Sequence, residues 1–152
     1  LPLLGHFNLS NALAAFVSIK SLGYSNDLVI PKLAKLSPPP GRMQKLAKNN
    51  IWIDYAHTPD ALSNALQTLH LHYPESKLRV VFGCGGDRDK SKRQQMGNIA
   101  SELAHSIILT NDNPRNENPQ KIRNAIILAK KIKKFLILII FISSHLVIIM
   151  LN

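Results

Sequence analysis

From Ile51 onward, short apolar runs alternate with amphipathic stretches at a spacing that calls for a layered α/β architecture. Ile51 to Tyr55 reads as a strand, Pro59 to His72 as a helix with Leu62, Leu66 and Leu69 on one face, and Leu78 to Phe82 as a buried strand. A helix from about Lys92 to Ala104, a strand Ser106 to Thr110 and a helix from about Pro119 to Lys131 complete the series. Crossover-length connections between strands predict a parallel sheet joined by right-handed crossovers. Pro59 and Pro119 each fall where a first helical turn begins, the one place where the missing N–H costs nothing. The expectation is an α/β fold: a Rossmann-like, mostly parallel sheet with flanking helices.

Three polar clusters stand where these strands should end. They are Asp54-Tyr-Ala-His-Thr-Pro-Asp60, Gly83-Cys-Gly-Gly-Asp-Arg-Asp-Lys90 and Thr110-Asn-Asp-Asn-Pro-Arg115. Open α/β sheets take ligands in the crevice beyond the carboxyl ends of their strands, so the three clusters read as one site for a small polar ligand.

Around this core the chain changes character twice. Asn8 to Leu22 has helical spacing (Leu9, Ala12, Leu13, Phe16, Ile19) stopped by Gly23, and Asp27 to Leu36 reads as a second short helix. Ser37-Pro-Pro-Pro-Gly41 is a stiff segment that marks a boundary. The start at Leu1 without a methionine suggests that the chain begins inside something larger, and no export signal is visible. After Lys134 the run Phe135 to Leu151, broken only by Ser143-Ser-His145, lies behind Lys130-Lys-Ile-Lys-Lys134. It resembles a marginal membrane anchor; the alternatives are a buried strand pair or a tail without selected structure.

The formal charge of +10 invites nucleic acid, but six of the nineteen basic residues follow Pro119, where no acidic residue occurs, and the rest of the chain carries +4. The basic excess is not interleaved with aromatics, so nucleic acid is not expected as a partner. The single cysteine, Cys84, excludes an internal disulfide.

As chemistry, each cluster has two readings. The glycines after Leu78 to Phe82 let backbone approach a ligand, with Arg88 as a planar donor for carboxylate or phosphate; they equally suit a tight turn with a solvated Asp87 to Lys90. No Gly-Lys-Ser/Thr ending is present, so the chain has no obvious triphosphate cradle. Asp112 can accept from an ammonium, Asn113 can do both jobs, and Arg115 can grip a carboxylate, which together suit a zwitterionic amino acid. An Asx-type turn closed by Pro114, with Arg115 in solvent, is the plainer account. His57 beside Asp54 could titrate usefully or be a turn histidine. The histidines form no metal-ligand arrangement, and no residue is assigned a catalytic role.

In order and spacing, Gly5-His-Phe-Asn8-Leu-Ser-Asn11, Pro40-Gly-Arg42-Met, Asp54-Tyr-Ala-His-Thr-Pro-Asp60, Val81-Phe-Gly-Cys-Gly-Gly-Asp-Arg88-Asp-Lys, Lys92-Arg93, Met96-Gly97 and Asp112-Asn-Pro-Arg115 resemble the Mur ligases, and more narrowly their MurE type. The resemblance runs from Leu1 to about Ala129. It implies ATP-dependent ligation of meso-diaminopimelate to UDP-MurNAc-L-Ala-D-Glu in peptidoglycan synthesis, with Mg2+, through an acyl phosphate, in the cytoplasm. It places residues 1–36 at the end of a truncated central ATPase domain, 37–41 as a linker, 42–131 in a truncated C-terminal Rossmann-like domain and 132–152 as an apolar tail outside the family pattern.

Carried over by position, Arg88, Asp112, Asn113, Pro114 and Arg115 would meet meso-diaminopimelate, with Arg115 pairing the distal carboxylate that lysine lacks. Asn8, Asn11, Arg42, Asp54 and His57 would meet the adenosine part of ATP. Gln44 stands where the family usually has Glu. The P-loop, the carbamylated lysine and the uridine-nucleotide domain have no counterpart here, and the apolar tail stands where a Gly-Lys-Gly-His-Glu segment belongs. The expectation is therefore a fragment, inactive alone. Its rivals are a small membrane-anchored ligand-binding module using residues 135–151, and a basic nucleic-acid binder.

Overall fold

The structure is a computed structural model that describes residues 2–46, 50–128, 135–141 and 147–151. The basic run Lys130 to Lys134 and the Ser143 to His145 interruption lie outside the described residues. The chain divides into two units, Leu1–Pro40 and Gly41–Asn152.

The first unit holds two helices, α1 (His6–Ser21) and α2 (Asn26–Leu33). Helix α1 ends as the N–H groups of Leu22 and Gly23 turn back onto the carbonyls of Ile19 and Lys20. Helix α2 takes Asp27 in its first turn, where a negative charge suits the helix dipole.

The second unit is built on β1 (Gln44–Lys45), β2 (Ile51–Asp54), β3 (Leu78–Phe82), β4 (Ser106–Asn111), β5 (Phe135–Phe141) and β6 (Val147–Leu151). Helices α3 (Pro59–His72), α4 (Ser91–Leu103) and α5 (Pro119–Ile127) connect β2 to β5 in turn. Each helix has a local reason to start where it does. Thr58 accepts from Ala61 N–H ahead of Pro59, Asp89 accepts from Ser91 N–H, and Asn118 accepts from Gln120 and Lys121 N–H ahead of Pro119. These side chains satisfy amide groups that a helix start leaves without intrahelical partners.

The sheet order is β1-β2-β6-β3-β4-β5. Strands β3, β4 and β5 pair in parallel, as their crossover helices require, but β6 runs antiparallel to both of its neighbours, β2 and β3. The α/β class is as expected, and β2 to β5 share one direction. The pairing, however, is mixed and not mostly parallel, because β6 enters between β2 and β3 against that direction, and β1 pairs antiparallel on β2.

That insertion accounts for the apolar character of residues 147–151, whereas β5, residues 135–141, stands at the end of the sheet order beside β4. A strand bonded along both edges and lying inside a sheet is hydrophobic without interruption, the same composition that suggests a membrane anchor. Residues 135–141 and 147–151 are strands, and no helix among the described residues is long and apolar enough to cross a membrane. Of the readings given above for this run, strands are what its described residues form.

Period-two burial organises the core. Trp52 and Asp54 of β2, Leu78, Val80 and Phe82 of β3, and Ile107 and Leu109 of β4 are buried, while Ile53, Arg79, Val81 and Ile108 are half-buried. Helix α4 packs between α3 and α5. Leu62, Leu66 and Leu69 of α3 are fully enclosed, the face expected from their spacing.

Ile149 is fully buried and stands opposite Trp52 on one side and Val80 on the other. Ile149→Ala is expected to lower unfolding stability by about 2–5 kcal/mol. Urea unfolding followed by Trp52 fluorescence measures it; a change under about 1 kcal/mol would mean that β6 is not a core strand.

Candidate functional site

The site is assembled at the carboxyl ends of β2, β3 and β4. Ala56 and His57 follow β2, Gly83, Cys84 and Gly85 follow β3, Asp112 follows β4, and Lys92 comes from the first turn of α4. Together they line a shallow crevice open to solvent. All three polar clusters contribute to it.

The loops after β3 and β4 approach at backbone distance. A Cβ on Gly83 would lie 2.5 Å from Thr110 O, and one on Gly86 only 1.8 Å from Pro114 O, so no side chain fits at either position. Gly86 N–H donates to Asn113 O at 2.9 Å, and the Arg115 guanidinium donates to Gly86 O at 2.6 Å. Asn116 Nδ2 donates to the Asp87 carboxylate at 2.8 Å, and Asp87 N–H donates to Glu117 Oε1 at 2.7 Å.

Arg93 of α4 closes this junction from below. Its Nη1 and Nη2 donate to the two Glu117 oxygens at 2.9 and 2.7 Å, and Nη2 also donates to Gly85 O at 3.3 Å. The Arg93 side chain is only 3% exposed while Glu117 is half-buried, and a charge-assisted bidentate contact of this kind is strong. The paired Arg93 N–H groups, followed by the Asp87 N–H, hold the Glu117 carboxyl down to about 2, well below its usual 4.5. The neighbouring Lys92 reaches the other way and donates to His57 O at 2.9 Å. Two successive residues of α4 thus tie down two different loops.

On the β2 side, Arg42, Tyr55 and His57 form a stack. The Arg42 guanidinium lies 5.3 Å from the Tyr55 ring centroid, and the Tyr55 and His57 rings meet edge to face at 5.1 Å. Asp54 is buried and accepts from Met43 N–H at 2.9 Å. Burial pushes its carboxyl above the usual aspartate range, opposed by that N–H and by the charge of Arg42. Tyr55 N–H donates to Gly41 O at 2.7 Å, so residues 41–43 are pinned to the end of β2 and present Arg42 outward.

The candidate residues fall into distinct positions. Asp112 and His57 line the crevice; Arg88 and Arg115 are exposed on the adjoining loops, Arg42 is exposed over the Tyr55 ring, and Asp54 is buried at the end of β2. Asn113 Oδ1 accepts from Arg115 N–H at 3.1 Å, the Asx-type turn of the plainer reading, but the Arg115 guanidinium is bound to Gly86 O. In the first unit, Asn8 is buried with its amide on Leu4 O at 2.7 Å, and Asn11 is exposed on α1. Among the described residues no group of three His, Cys, Asp or Glu side chains could hold a metal ion, so no magnesium step is assigned to them.

Sequence reasoning missed Glu117 and the divided reach of Lys92 and Arg93. Glu117 lies 24 positions from Arg93, and the one local sign of it is an acid inside the Asn116-Glu-Asn-Pro119 word.

An α/β unit that gathers polar loops at strand carboxyl ends, with a basic helix start close by, has the arrangement in which such folds take small ligands. Residues 41–142 match the family model described as the Mur ligase glutamate ligase domain, a match that takes in β5. The chain belongs to the Mur ligase family. It is 50% identical over 127 residues to UDP-N-acetylmuramoyl-L-alanyl-D-glutamate–2,6-diaminopimelate ligase of Rickettsia conorii, covering 83% of this chain and 26% of that protein. With the enzyme of the same name from Alkalilimnicola ehrlichii, identity is 47% over 124 residues, covering 80% of this chain and 25% of the relative. The chain thus spans about a quarter of the length of these relatives.

Among solved structures, one of that same type of ligase superposes with a TM-score of 0.60 at 38% identity, over 91% of this chain and 29% of the other. UDP-N-acetylmuramate–alanine ligase MurC from Thermotoga maritima superposes with a TM-score of 0.64 at 25% identity, over 94% of this chain and 33% of that one.

Two measurements test the site chemistry. Because the folded-state pKa of Glu117 is depressed, its contribution is complete above pH 4.5 and is lost as pH falls toward 2. The stability difference between the parent chain and Glu117→Gln should therefore be flat above about pH 5 and shrink between about pH 4.5 and 2, as read from urea midpoints; a constant difference would refute the pairing. Burial pushes the Cys84 thiol up to about 11, an effect opposed by the charges of Lys92 and Arg93 and reinforced by Asp112. At pH 8 the folded chain should react with a thiol-specific disulfide reagent at least tenfold, roughly, more slowly than the chain in denaturant.

Proposed function

We propose that this chain provides the amino-acid side of a ligase active site that adds meso-diaminopimelate to UDP-MurNAc-L-Ala-D-Glu, as the names of its relatives describe, in cytoplasmic peptidoglycan synthesis. In this reading residues 1–36 end the central ATPase domain, 37–41 are the linker and 42–131 belong to the C-terminal domain. One observation carries the assignment: the Asp112 to Arg115 turn is locked against the Gly83 to Asp87 loop, with Asp112 in the crevice and the Arg115 guanidinium bonded to Gly86 O.

The chemistry required of these residues is recognition. A carboxylate at Asp112 attracts the ammonium of the incoming amino acid, and a planar guanidinium at Arg115 suits a carboxylate, gripped at two oxygens. Arg88, on the facing loop, offers a second donor, while Asn113 and Pro114 set the turn. Lysine has no distal carboxylate, so a site built around Arg115 discriminates against it by leaving a charge-assisted bond unmade.

ATP supplies the phosphoryl group that activates the acceptor carboxylate. Here Arg42, Asp54 and His57, with Asn8 and Asn11 of the first unit, are assigned to its adenosine part. The Arg42, Tyr55 and His57 stack supports that assignment, since it offers planar surfaces and donors beside a buried carboxylate.

Titration of the labelled chain with meso-diaminopimelate, followed by amide NMR, is expected to shift Asp112 to Arg115 and Gly85 to Arg88. Arg115→Ala should weaken meso-diaminopimelate binding about tenfold or more and leave lysine binding nearly unchanged. Equal loss for both ligands would refute the distal-carboxylate role.

A further inference from the structure

Arg115 owes its direction to residues it does not touch. Its guanidinium is aimed by Gly86 O, and Gly86 is flanked by the two groups that α4 and Glu117 hold, Gly85 O on Arg93 and Asp87 N–H on Glu117. Neither Arg93 nor Glu117 is among the residues lining the crevice. Both Asp87 and Arg115 have left-handed backbones, with φ of 50° and 48°. A non-glycine residue holds that conformation only when its surroundings over-determine it. For Asp87 those surroundings are the Glu117 carboxylate on its N–H and Asn116 on its own carboxylate.

We propose that Arg93 and Glu117 are positioning residues that set the amino-acid selectivity of this site, by holding the Asn113 to Glu117 turn and the Gly83 to Asp87 loop in one register. The proposal rests on the amino-acid reading above and extends it to two residues outside the binding surface. With the pair broken, Asp87 is free to leave its left-handed conformation, Gly86 O moves with it, and Arg115 loses the anchor that aims it. Asp112 leaves β4 directly and is buried, so ammonium binding persists. The predicted defect is therefore selective: recognition of the distal carboxylate fails first.

A purely structural pair would instead lower the melting temperature and leave the preference of the folded chain intact. The test uses the whole chain, with meso-diaminopimelate and lysine as probes in parallel NMR titrations well below the melting temperature, on Glu117→Gln, Glu117→Asp and Arg93→Lys. Folded Glu117→Gln and Arg93→Lys are expected to lose about tenfold or more in meso-diaminopimelate affinity, with lysine affinity changed less than about twofold. Glu117→Asp, which keeps the charge, should fall between parent and Gln and substitutes for it should Gln not fold. Amide hydrogen exchange at Asp87 and Asn116 should speed up in the same order. Folded variants that keep the parent's preference overturn the proposal. A parent chain showing no preference between the two ligands overturns the amino-acid reading itself, before any variant is compared, and the positioning role falls with it.

Discussion

The Arg93–Glu117 pair is the interaction on which the site depends, because it joins a helix to two loops that the sheet alone would leave independent. Strands fix where a loop leaves, and the helix fixes where it must arrive, but the path between is set by local bonds. Here the carboxylate of Glu117 binds Arg93 on one side and the Asp87 amide on the other. Burying a guanidinium is costly unless its charge is paired at good geometry, and the bidentate contact provides that compensation. The remaining Arg93 Nε has no partner among the described residues, so the balance leans heavily on Glu117.

A second regularity runs through the unit. The three non-glycine residues with left-handed backbones among the described residues are Met43, Asp87 and Arg115, and each donates its N–H to a side-chain oxygen, from Asp54, Glu117 and Asn113 respectively. Each lies next to a candidate binding residue or is one: Arg42, Arg88 and Arg115. Left-handed turns change chain direction sharply and lift the adjoining side chain off the sheet edge, and the side-chain acceptors stabilise what would otherwise be unfavourable conformations. Asp54, Asn113 and Glu117 thus shape the loops before any ligand arrives.

Much of this was legible from residue order. Apolar period and proline placement located α3, β3 and α5's start, because buried strands and capped helices carry local signals. The three clusters were legible as neighbours because crossover topology sends the carboxyl ends of β2, β3 and β4 to the same edge, where residues of all three line one crevice. Pairing partners were not. The place of β6 between β2 and β3 is decided by which edges remain open once the crossovers have formed, a nonlocal matter that leaves only an apolar run in the sequence. Nor was the bond from Arg115 to Gly86 visible, since it depends on two glycines allowing backbones to touch across 29 positions.

That close approach fixes the register of the two loops. At Gly83 and Gly86 the obstructing atoms are backbone atoms, which cannot rotate away as the end of a flexible side chain can, so even a methyl group must push the two loops apart. Arg88, one loop position beyond the left-handed Asp87, is exposed. A change of side chain there alters what the rim offers a ligand with no such backbone cost. Under the function proposed above, ligand preference would rest with the exposed Arg88 and Arg115, while the register of their two loops is held by glycine, Arg93 and Glu117.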